Sequence, residues 1–232
     1  MTKTFVITGA SRGLGLEFVK QLKSKGHTLF ACVRNPNSSS ELQALAGQNV
    51  HVIELDTINT ESVAAAAQKI AELSPNGIDV LINNSGIIAD RNDTVETSSG
   101  KSYLSVFETN VVGTSNVTQA ILPLLRKGTD RRIINISSDF GSIASTEVAT
   151  VPSYRISKAA ENMLTKLFAN HLKDESFVVV SIHPGWVQTD MGGSDATLTT
   201  PQSIGGILNQ VEKLTTKDNG TFIDFQGASL PW

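Results

Sequence analysis

Tyr154 and Lys158 are the two residues whose types and spacing most directly suggest chemistry. Residues four apart lie on one face of a helix, so the phenol and the ammonium group would be neighbours. An isolated phenol has a pKa of about 10, which is too high for efficient proton transfer near neutral pH. A nearby ammonium group favours the phenolate and lowers that pKa. The pair therefore suggests a proton donor, although the same spacing also occurs on ordinary amphipathic surface helices.

The polar residues that precede this pair favour an active site over a surface helix. Ile133–Ile136 has the pattern of a buried strand, and Ser137 and Ser138 follow it directly. Asn110 lies further upstream, in the middle of a segment predicted to be helical.

A glycine-rich turn opens the chain. A short buried strand is predicted at residues 3–8, followed by the turn Gly9-Ala10-Ser11-Arg12-Gly13-Leu14-Gly15 and a helix. Free N–H groups at such a helix start, together with the helix dipole, attract a phosphate, and glycines let the backbone approach a pyrophosphate closely. The spacing is Gly-x3-Gly-x-Gly rather than the commoner Gly-x-Gly-x-x-Gly. The turn predicts a dinucleotide site, with a merely tight connection as the alternative.

The segment after the second predicted strand contains no acidic residue. In NAD-binding βαβ units an acid about 20 residues beyond the glycines accepts hydrogen bonds from the ribose 2′-hydroxyl. Here Arg34 occupies that region, and Arg12 lies within the glycine turn. Two guanidinium groups suit a dianionic 2′-phosphate, which would repel a carboxylate. These residues predict NADP(H) as the cofactor, the alternative being that both arginines are solvated surface residues.

Buried strands alternate with amphipathic helices along the chain. Strands are predicted at 3–8, 28–33, 50–55, 79–82, 132–137, 177–182 and 221–224. Helices are predicted from the glycine turn to residue 26 and at 60–73, 103–125, 152–172 and 201–214, with residues 87–102 as a surface loop. The alternation predicts an α/β fold, a single Rossmann-type doubly wound parallel sheet with helices on both faces, in one dinucleotide-binding domain over residues 1–232. Ligands bind such sheets at the carboxyl ends of strands, where we expect Gly9, Arg34, Asp56, Asn83, Ser138 and Pro184.

Composition narrows the class of protein. The chain has 232 residues, of which 40% are hydrophobic and 18% charged, and a formal net charge of −3. That charge offers no bulk attraction for nucleic acid or an anionic membrane, so neither is an expected partner. Cys32 is the single cysteine, and with no recognisable signal peptide or membrane span the expected location is cytoplasmic. The four histidines show no metal-ligand spacing, so no metal is expected.

Taken together, these motifs resemble the short-chain dehydrogenase/reductase family over essentially the full length. The matching segments are Thr8–Gly15, Asn83-Asn84-Ser85-Gly86, Asn110, Ser138, Tyr154-x3-Lys158 and Pro184-Gly185. Ser85 stands where an alanine is commoner. The longer interval between Ser138 and Tyr154, the segment 183–193 and the ending Gly227–Trp232 are similar to the sniffer/C-factor branch of carbonyl reductases.

The resemblance implies roles for individual residues. Tyr154 would protonate the carbonyl oxygen as hydride arrives, Ser138 (or else Ser137) would hydrogen-bond that oxygen, and Lys158 would hold the nicotinamide ribose and lower the phenol pKa. Asn110 would hold a water that links Lys158 to solvent. The cofactor-binding set implied is Gly9, Ser11, Arg12, Gly13, Leu14, Gly15, Arg34, Asp56, Asn83, Gly86, Tyr154, Lys158, Pro184, Gly185, Val187 and Thr189.

The expected function is therefore NADPH-dependent reduction of aldehydes or ketones. The alternatives are a cofactor-binding signalling protein with residual reductase activity, and an epimerase or dehydratase on the same fold. The substrate would be a small carbonyl compound in an open pocket bordered by Phe140, Val151, Trp186 and Met191, unless residues 87–102 or 139–153 close over it. The resemblance also implies a possible homodimer or homotetramer, formed through the helices near 103–125 and 154–172.

Overall fold

The computed structural model describes residues 2–232 and contains one seven-stranded sheet. Its strands are β1 (Thr4–Thr8), β2 (Thr28–Val33), β3 (Val50–Glu54), β4 (Val80–Asn83), β5 (Arg132–Ile136), β6 (Val178–His183) and β7 (Phe222–Asp224). They lie in the order β3-β2-β1-β4-β5-β6-β7, and every neighbouring pair is parallel. The order reverses between β1 and β4, the crevice where doubly wound sheets bind ligands.

Helices cover both faces of the sheet, which confirms the predicted fold class. The described helices are α1 (Gly13–Ser24), α2 (Ser40–Leu45), α3 (Thr60–Leu73), α4 (Gly100–Phe107), α5 (Gly113–Lys127), α6 (Pro152–His171) and α7 (Thr200–Lys213). One apolar core joins the sheet to α1, α2 and α7, and a second joins its other face to α3, α5 and α6. Because the inner strands are buried on both faces, they are continuous apolar runs rather than alternating ones.

The helices differ from the predictions in two places. The short helix α2 was not predicted; it buries only Leu42, and the Ser39 hydroxyl accepts a hydrogen bond from the Leu42 N–H to cap it. The long helix predicted at 103–125 begins at Gly100 and is interrupted by a π-helical turn over Glu108–Val112, which separates α4 from α5. No described helix is long and apolar enough to cross a membrane.

Helix α6, which carries Tyr154, starts from an unusual backbone conformation. Pro152 stands in its first turn, a position proline favours, but the preceding residue, Val151, has φ 49° and ψ 48°. A β-branched residue in this left-handed region is strained. The Val151 N–H donates to the Asp93 carbonyl oxygen at 2.8 Å, and Thr94 forms an isolated bridge with Thr150. The loops at 87–99 and 139–151 therefore contact each other at the start of the helix.

Candidate active site

The carboxyl ends of the central strands open into a groove of about 270 Å³. Twelve of the predicted site residues line it: Gly9, Ser11, Arg12, Gly13, Leu14, Arg34, Asp56, Gly86, Tyr154, Lys158, Pro184 and Thr189. Six lie outside the lining: Gly15, Asn83, Asn110, Ser138, Gly185 and Val187. The parallel topology thus collects residues from the ends of five strands and from helix α6 into one elongated site.

The glycine turn forms one wall of the groove through its backbone. Gly9 has φ 67° and Gly13 φ 53°, conformations that L side chains rarely adopt. Gly15 is packed so closely that a Cβ would lie 2.1 Å from the Gly9 carbonyl oxygen. Arg12 is the N-cap of α1 and supplies no side-chain cap, so the first N–H groups of the helix stay free for an anion. This cradle fits the phosphates of a dinucleotide.

The strand β4 is tied to the glycine turn by Asn84, which the sequence analysis did not single out as a site residue. Its Nδ2 donates to the carbonyl oxygens of Thr8 at 3.0 Å and Gly9 at 3.3 Å, while the Thr8 hydroxyl accepts from its N–H. Asn83, which was expected to contact the cofactor, points away from the groove. Its Nδ2 donates to Asn135 Oδ1 at 2.8 Å and Thr118 Oγ1 at 3.0 Å, because alternate strand residues face opposite sides of the sheet.

Tyr154 and Lys158 lie side by side in the floor of the groove, with 9% and 4% of their surfaces exposed. The Lys158 Nζ is 5.7 Å from the centroid of the Tyr154 ring. It donates to the Ile136 carbonyl oxygen at 2.8 Å and to Glu161 Oε2 at 2.6 Å. The Phe140 ring meets the tyrosine edge-on, with centroids 6.4 Å apart. The sequence reasoning missed Glu161, although an acid three residues after Lys158 on a buried helix face could have indicated it.

The pKa of Tyr154 is raised above its ordinary value, chiefly because the phenol is buried. The Lys158 charge lowers that pKa, as predicted, but does not outweigh burial; Glu161 and Asp139 raise it further, and a hydrogen bond with Ser138 lowers it. The phenol is therefore protonated near neutral pH, which is the form a general acid needs.

The hydroxyl of Ser138 belongs to a turn directly after β5. It accepts a hydrogen bond from the Phe140 N–H at 3.1 Å and donates to Asp139 Oδ1 at 3.0 Å. The His183 ring anchors this turn, because its Nδ1 accepts from the Asp139 N–H at 3.1 Å. Ser137, the alternative to Ser138, instead donates to Asn162 Oδ1 at 2.7 Å and is buried. Ser138 is thus the hydroxyl in reach of Tyr154.

Asn110 stands in the π-helical turn with no exposed surface. Its side-chain amide pairs with the backbone of Ile87, accepting from the N–H at 2.8 Å and donating to the carbonyl oxygen at 2.9 Å. Its Nδ2 also donates to the Ser157 hydroxyl. π-Turns of this kind are frequent at functional sites. Asn110 therefore fixes the loop that follows β4 against the helix that carries Tyr154 and Lys158.

The arginines at the far end of the groove are exposed, and Asp56 beside them is half-buried. Arg34 follows β2 directly, and Asp56 follows β3 one residue further on. Arg12 forms an ion pair with Asp190, with 3.0 Å between its Nη1 and the carboxylate. Because both partners are largely in solvent, this pair is weak and easily exchanged.

Of the four residues predicted to border the pocket, Met191 lines the groove. Phe140 and Trp186 are exposed but lie outside the groove lining, and Val151 is buried. The Trp186 Nε1 donates to the Gly192 carbonyl oxygen at 2.8 Å, which holds the indole over the short segment after Met191. Within residues 2–232 no group of three or more His, Cys, Asp or Glu side chains is placed to hold a metal ion.

Comparison with known proteins places this site in a family. The family model for short chain dehydrogenase matches residues 3–198. The structure of the carbonyl reductase Sniffer of D. melanogaster superposes with a TM-score of 0.96 at 36% identity, covering 100% of both chains. An NADPH-bound carbonyl reductase from chicken fatty liver gives a TM-score of 0.94 at 35% identity, with 100% of this chain and 99% of that one covered. C-signal of Myxococcus xanthus is 41% identical over 163 residues, 67% of this chain and 93% of that protein. The chain therefore belongs to the short-chain dehydrogenase family of oxidoreductases.

Proposed function

We propose that the protein reduces the carbonyl groups of small aldehydes or ketones with NADPH. The observation that carries this proposal is the buried Tyr154 phenol, which lies in the floor of the groove beside the Lys158 ammonium group. The similarity to an NADPH-bound carbonyl reductase supports it.

The residues present fit a dinucleotide. The free N–H groups after Arg12 and the close approach allowed at Gly9 and Gly13 suit its phosphates. Gly86 leaves room beside Lys158, since a Cβ there would lie 3.7 Å from the Lys158 Nζ. When bound, NADPH supplies the hydride, and the protein supplies orientation and a proton.

The proton step is assigned to Tyr154. Its phenol gives a proton to the carbonyl oxygen, and the Ser138 hydroxyl, in reach of the same phenol, holds that oxygen in place. Lys158 supports the phenolate that remains, because a nearby positive charge favours the ionised form. Asn110 keeps the Ile87 carbonyl oxygen in place near Lys158, where a water could return the proton from solvent.

Selectivity for NADP(H) is assigned to Arg34 and Arg12. Arg34 lines the groove at the end of β2 and has no hydrogen-bond partner among the described residues. Arg12 is held by Asp190 through an exposed ion pair and can turn to a 2′-phosphate at little cost. Each charge-assisted contact contributes about 1.5–3 kcal/mol, which corresponds to a preference of roughly 10²-fold or more over NAD(H).

The test is consumption of NADPH, followed at 340 nm, over a panel of aldehydes, ketones, quinones and steroids. Tyr154→Phe is the matched control: it should bind NADPH nearly as well as the wild type, because the ring is retained, and turn over about 10²–10⁴-fold more slowly. If the Phe variant reduces carbonyl compounds at the wild-type rate, Tyr154 is not the acid. If no compound is reduced by the wild type, the reductase function fails.

A second candidate function is that of a cofactor-binding regulator with residual reductase activity. The observation that favours it is the 41% identity with the protein named C-signal. The two functions separate in one experiment, because a pure regulator would bind NADPH and turn over no carbonyl compound.

We propose a homodimer or homotetramer for the assembly. Five apolar side chains on the packed pair α4 and α6 are exposed: Leu104, Phe107, Ile156, Met163 and Leu167. Patches of this kind mark association surfaces.

We propose a cytoplasmic location. Cys32, the single cysteine, is free and buried, and burial raises the pKa of its thiol to about 12. One cysteine cannot form a disulfide within the chain, which fits a reducing compartment.

A further inference from the structure

Glu161 is a buried carboxylate that the proposed proton transfer does not use. Only 1% of its surface is exposed. Its Oε2 accepts a hydrogen bond from the Lys158 Nζ at 2.6 Å, and the same ammonium group donates to the Ile136 carbonyl oxygen at 2.8 Å. An ammonium group has three donors, so these two contacts leave one for the phenol or for a cofactor hydroxyl.

The position of Glu161 on the helix is as informative as its burial. The spacing of residues 154, 158, 161 and 165 places all four on one face of the helix. All four are buried. Placing an ion pair at this depth gives little net stability, because desolvation opposes the attraction; a well-packed apolar side chain is often as stable or more so. The stability of the fold therefore does not account for a carboxylate at this position, whereas an effect on Lys158 and Tyr154 would.

The charged groups around the phenol are few. Lys158 and Glu161 act on Tyr154 from α6 itself, and Asp139 acts from the turn after β5. Only Lys158 acts on Glu161. Other elements packed against α6 contribute titratable groups that do not act on the phenol: His183 of β6, which lies against Asp139, the exposed Lys101 and Glu108, and the half-buried Tyr103.

Lys158 and Glu161 together carry no net charge, so the positive field that would ionise the phenol is partly cancelled. The pKa of Glu161 is raised, because burial outweighs the lowering by the ammonium group. The pKa of Lys158 is raised: burial lowers it, and the Glu161 carboxylate and Tyr154 together outweigh burial. The 2.6 Å contact between the Lys158 Nζ and Glu161 Oε2 has the geometry of an ion pair, and its carboxylate lies on the same helix face as Tyr154.

We propose that Glu161 is a positioning residue that acts through Lys158: its carboxylate balances the ammonium charge, so that the Tyr154 phenol keeps its proton and the site favours carbonyl reduction over alcohol oxidation. The inference rests on the proposed reductase function. In reduction, the Tyr154 O–H bond breaks and its proton goes to the carbonyl oxygen while the carbonyl carbon gains a hydride. Solvent then reprotonates the phenolate.

The expected size of the effect follows from the helix geometry. Seven residues at 1.5 Å each place Tyr154 and Glu161 about 10 Å apart along the axis of α6. One charge at that distance, in a medium of effective dielectric constant near 20, shifts a titration by about one pH unit. Removing the carboxylate should therefore let Tyr154 ionise about one pH unit lower.

The experiment measures the phenol directly in the cofactor-free protein. The chain has two tyrosines, so protein labelled with ¹³C at tyrosine Cζ gives two NMR signals, and Tyr154→Phe assigns them. We expect the Tyr154 midpoint to fall by about one pH unit in both Glu161→Gln and Glu161→Leu. It should stay near the wild-type value in Glu161→Asp, which keeps the charge. The Tyr103 signal is the internal reference and should not move.

The pH dependence of kcat/KM is the second measurement. Since reduction requires the protonated phenol, its alkaline limb should move to lower pH in the Gln and Leu variants by the shift seen in the NMR titration. An unchanged Tyr154 midpoint in folded Gln and Leu variants overturns the proposal, and failure of both to fold would assign Glu161 a structural role and overturn it as well. If the Tyr154 midpoint shifts as expected but the protein reduces no carbonyl compound, the effect of Glu161 on Tyr154 is supported and the proposed reductase function is refuted.

Discussion

Replacing Gly15 with alanine tests how the glycine turn is built. Gly15 lies in the first turn of α1, and a Cβ there would stand 2.1 Å from the Gly9 carbonyl oxygen and 2.7 Å from Asn84 Nδ2. Non-bonded carbon contacts are favourable only at about 3.5 Å or more. Because the obstructing carbonyl belongs to the backbone, no side chain can rotate away. The helix would have to move from the turn by about 1 Å.

The magnitude combines two opposing terms. Alanine in place of glycine inside a helix normally stabilises by about 1 kcal/mol. Overpacking against fixed atoms costs about 1–3 kcal/mol, and here the upper end applies because backbone obstructs backbone. We expect Gly15→Ala to lose about 1–2 kcal/mol of unfolding free energy, which lowers Tm by roughly 2–8 °C in a chain of this size.

The assay is urea unfolding, followed by the fluorescence of Trp186 and Trp232, with and without NADPH. At 100 times its Kd, NADPH should stabilise the wild type by about 2.7 kcal/mol. The displaced turn no longer presents its N–H groups correctly, so the variant should gain much less.

Gly205→Ala is the matched control for this variant. Gly205 also lies in a helix, but its Cβ would meet only the flexible Gln21 side chain at 3.8 Å, so alanine should stabilise by up to about 1 kcal/mol. The reasoning is refuted if Gly15→Ala unfolds at the wild-type urea concentration and keeps the full NADPH gain.

Three further perturbations test other parts of the structure. The double change Val33→Asp with Arg34→Ala should shift the preference, measured as the ratio of kcat/KM for NADPH and NADH, toward NADH. If that ratio does not change, residues other than Arg34 bind the 2′-phosphate. Ser176 is exposed with φ 60°, so Ser176→Gly should raise the unfolding free energy by up to about 1 kcal/mol; a loss in urea unfolding would contradict this. Burial lowers the pKa of His183 below 6.5, so its stabilisation is present above pH 6.5 and is lost as the pH falls through the folded-state pKa. Urea unfolding at pH 7 and about pH 5 should therefore show a smaller loss in His183→Gln than in the wild type, and equal losses would exclude His183 as the cause.

The residues that follow strands were the most predictable part of the site. Strand positions follow from apolar runs such as Ile133–Ile136, and a parallel sheet brings all their carboxyl ends to one edge. This reasoning predicted Gly9, Arg34, Asp56 and Pro184 at one edge of the sheet, and all four line the groove. Asn83 and Ser138 were predicted at the same edge but lie outside the groove lining. For Asn83 this depends on which face of the sheet its side chain takes at the end of β4, which the sequence alone does not determine.

Features that depend on contacts between distant loops could not be predicted. The bridge between Thr94 and Thr150 and the left-handed conformation of Val151 arise from two loops that each look irregular in the sequence. The sign of the pKa change at Tyr154 was also out of reach, since it depends on how deeply the phenol is buried. Glu161 was in principle visible from its spacing, but a glutamate on a helix is ordinarily a solvated residue.

The π-helical turn at Glu108–Val112 joins α4 and α5 without a break in the helical backbone, but it rotates the side chains of one relative to the other about the helix axis. Each residue advances an α-helix by about 100°, so one extra residue in a turn rotates everything beyond it by that amount. As a result α4 contacts α6, while α5 directs Val117, Ile121 and Leu125 into the core against the sheet. Deleting one residue here would restore regular α-helical hydrogen bonding, but it would rotate either α4 or α5 away from the surface against which it packs. Changes in chain length should therefore be tolerated at exposed turns such as the one at Gly47, where an added Cβ would meet no atom within 4 Å, and rejected at the turn that holds Asn110.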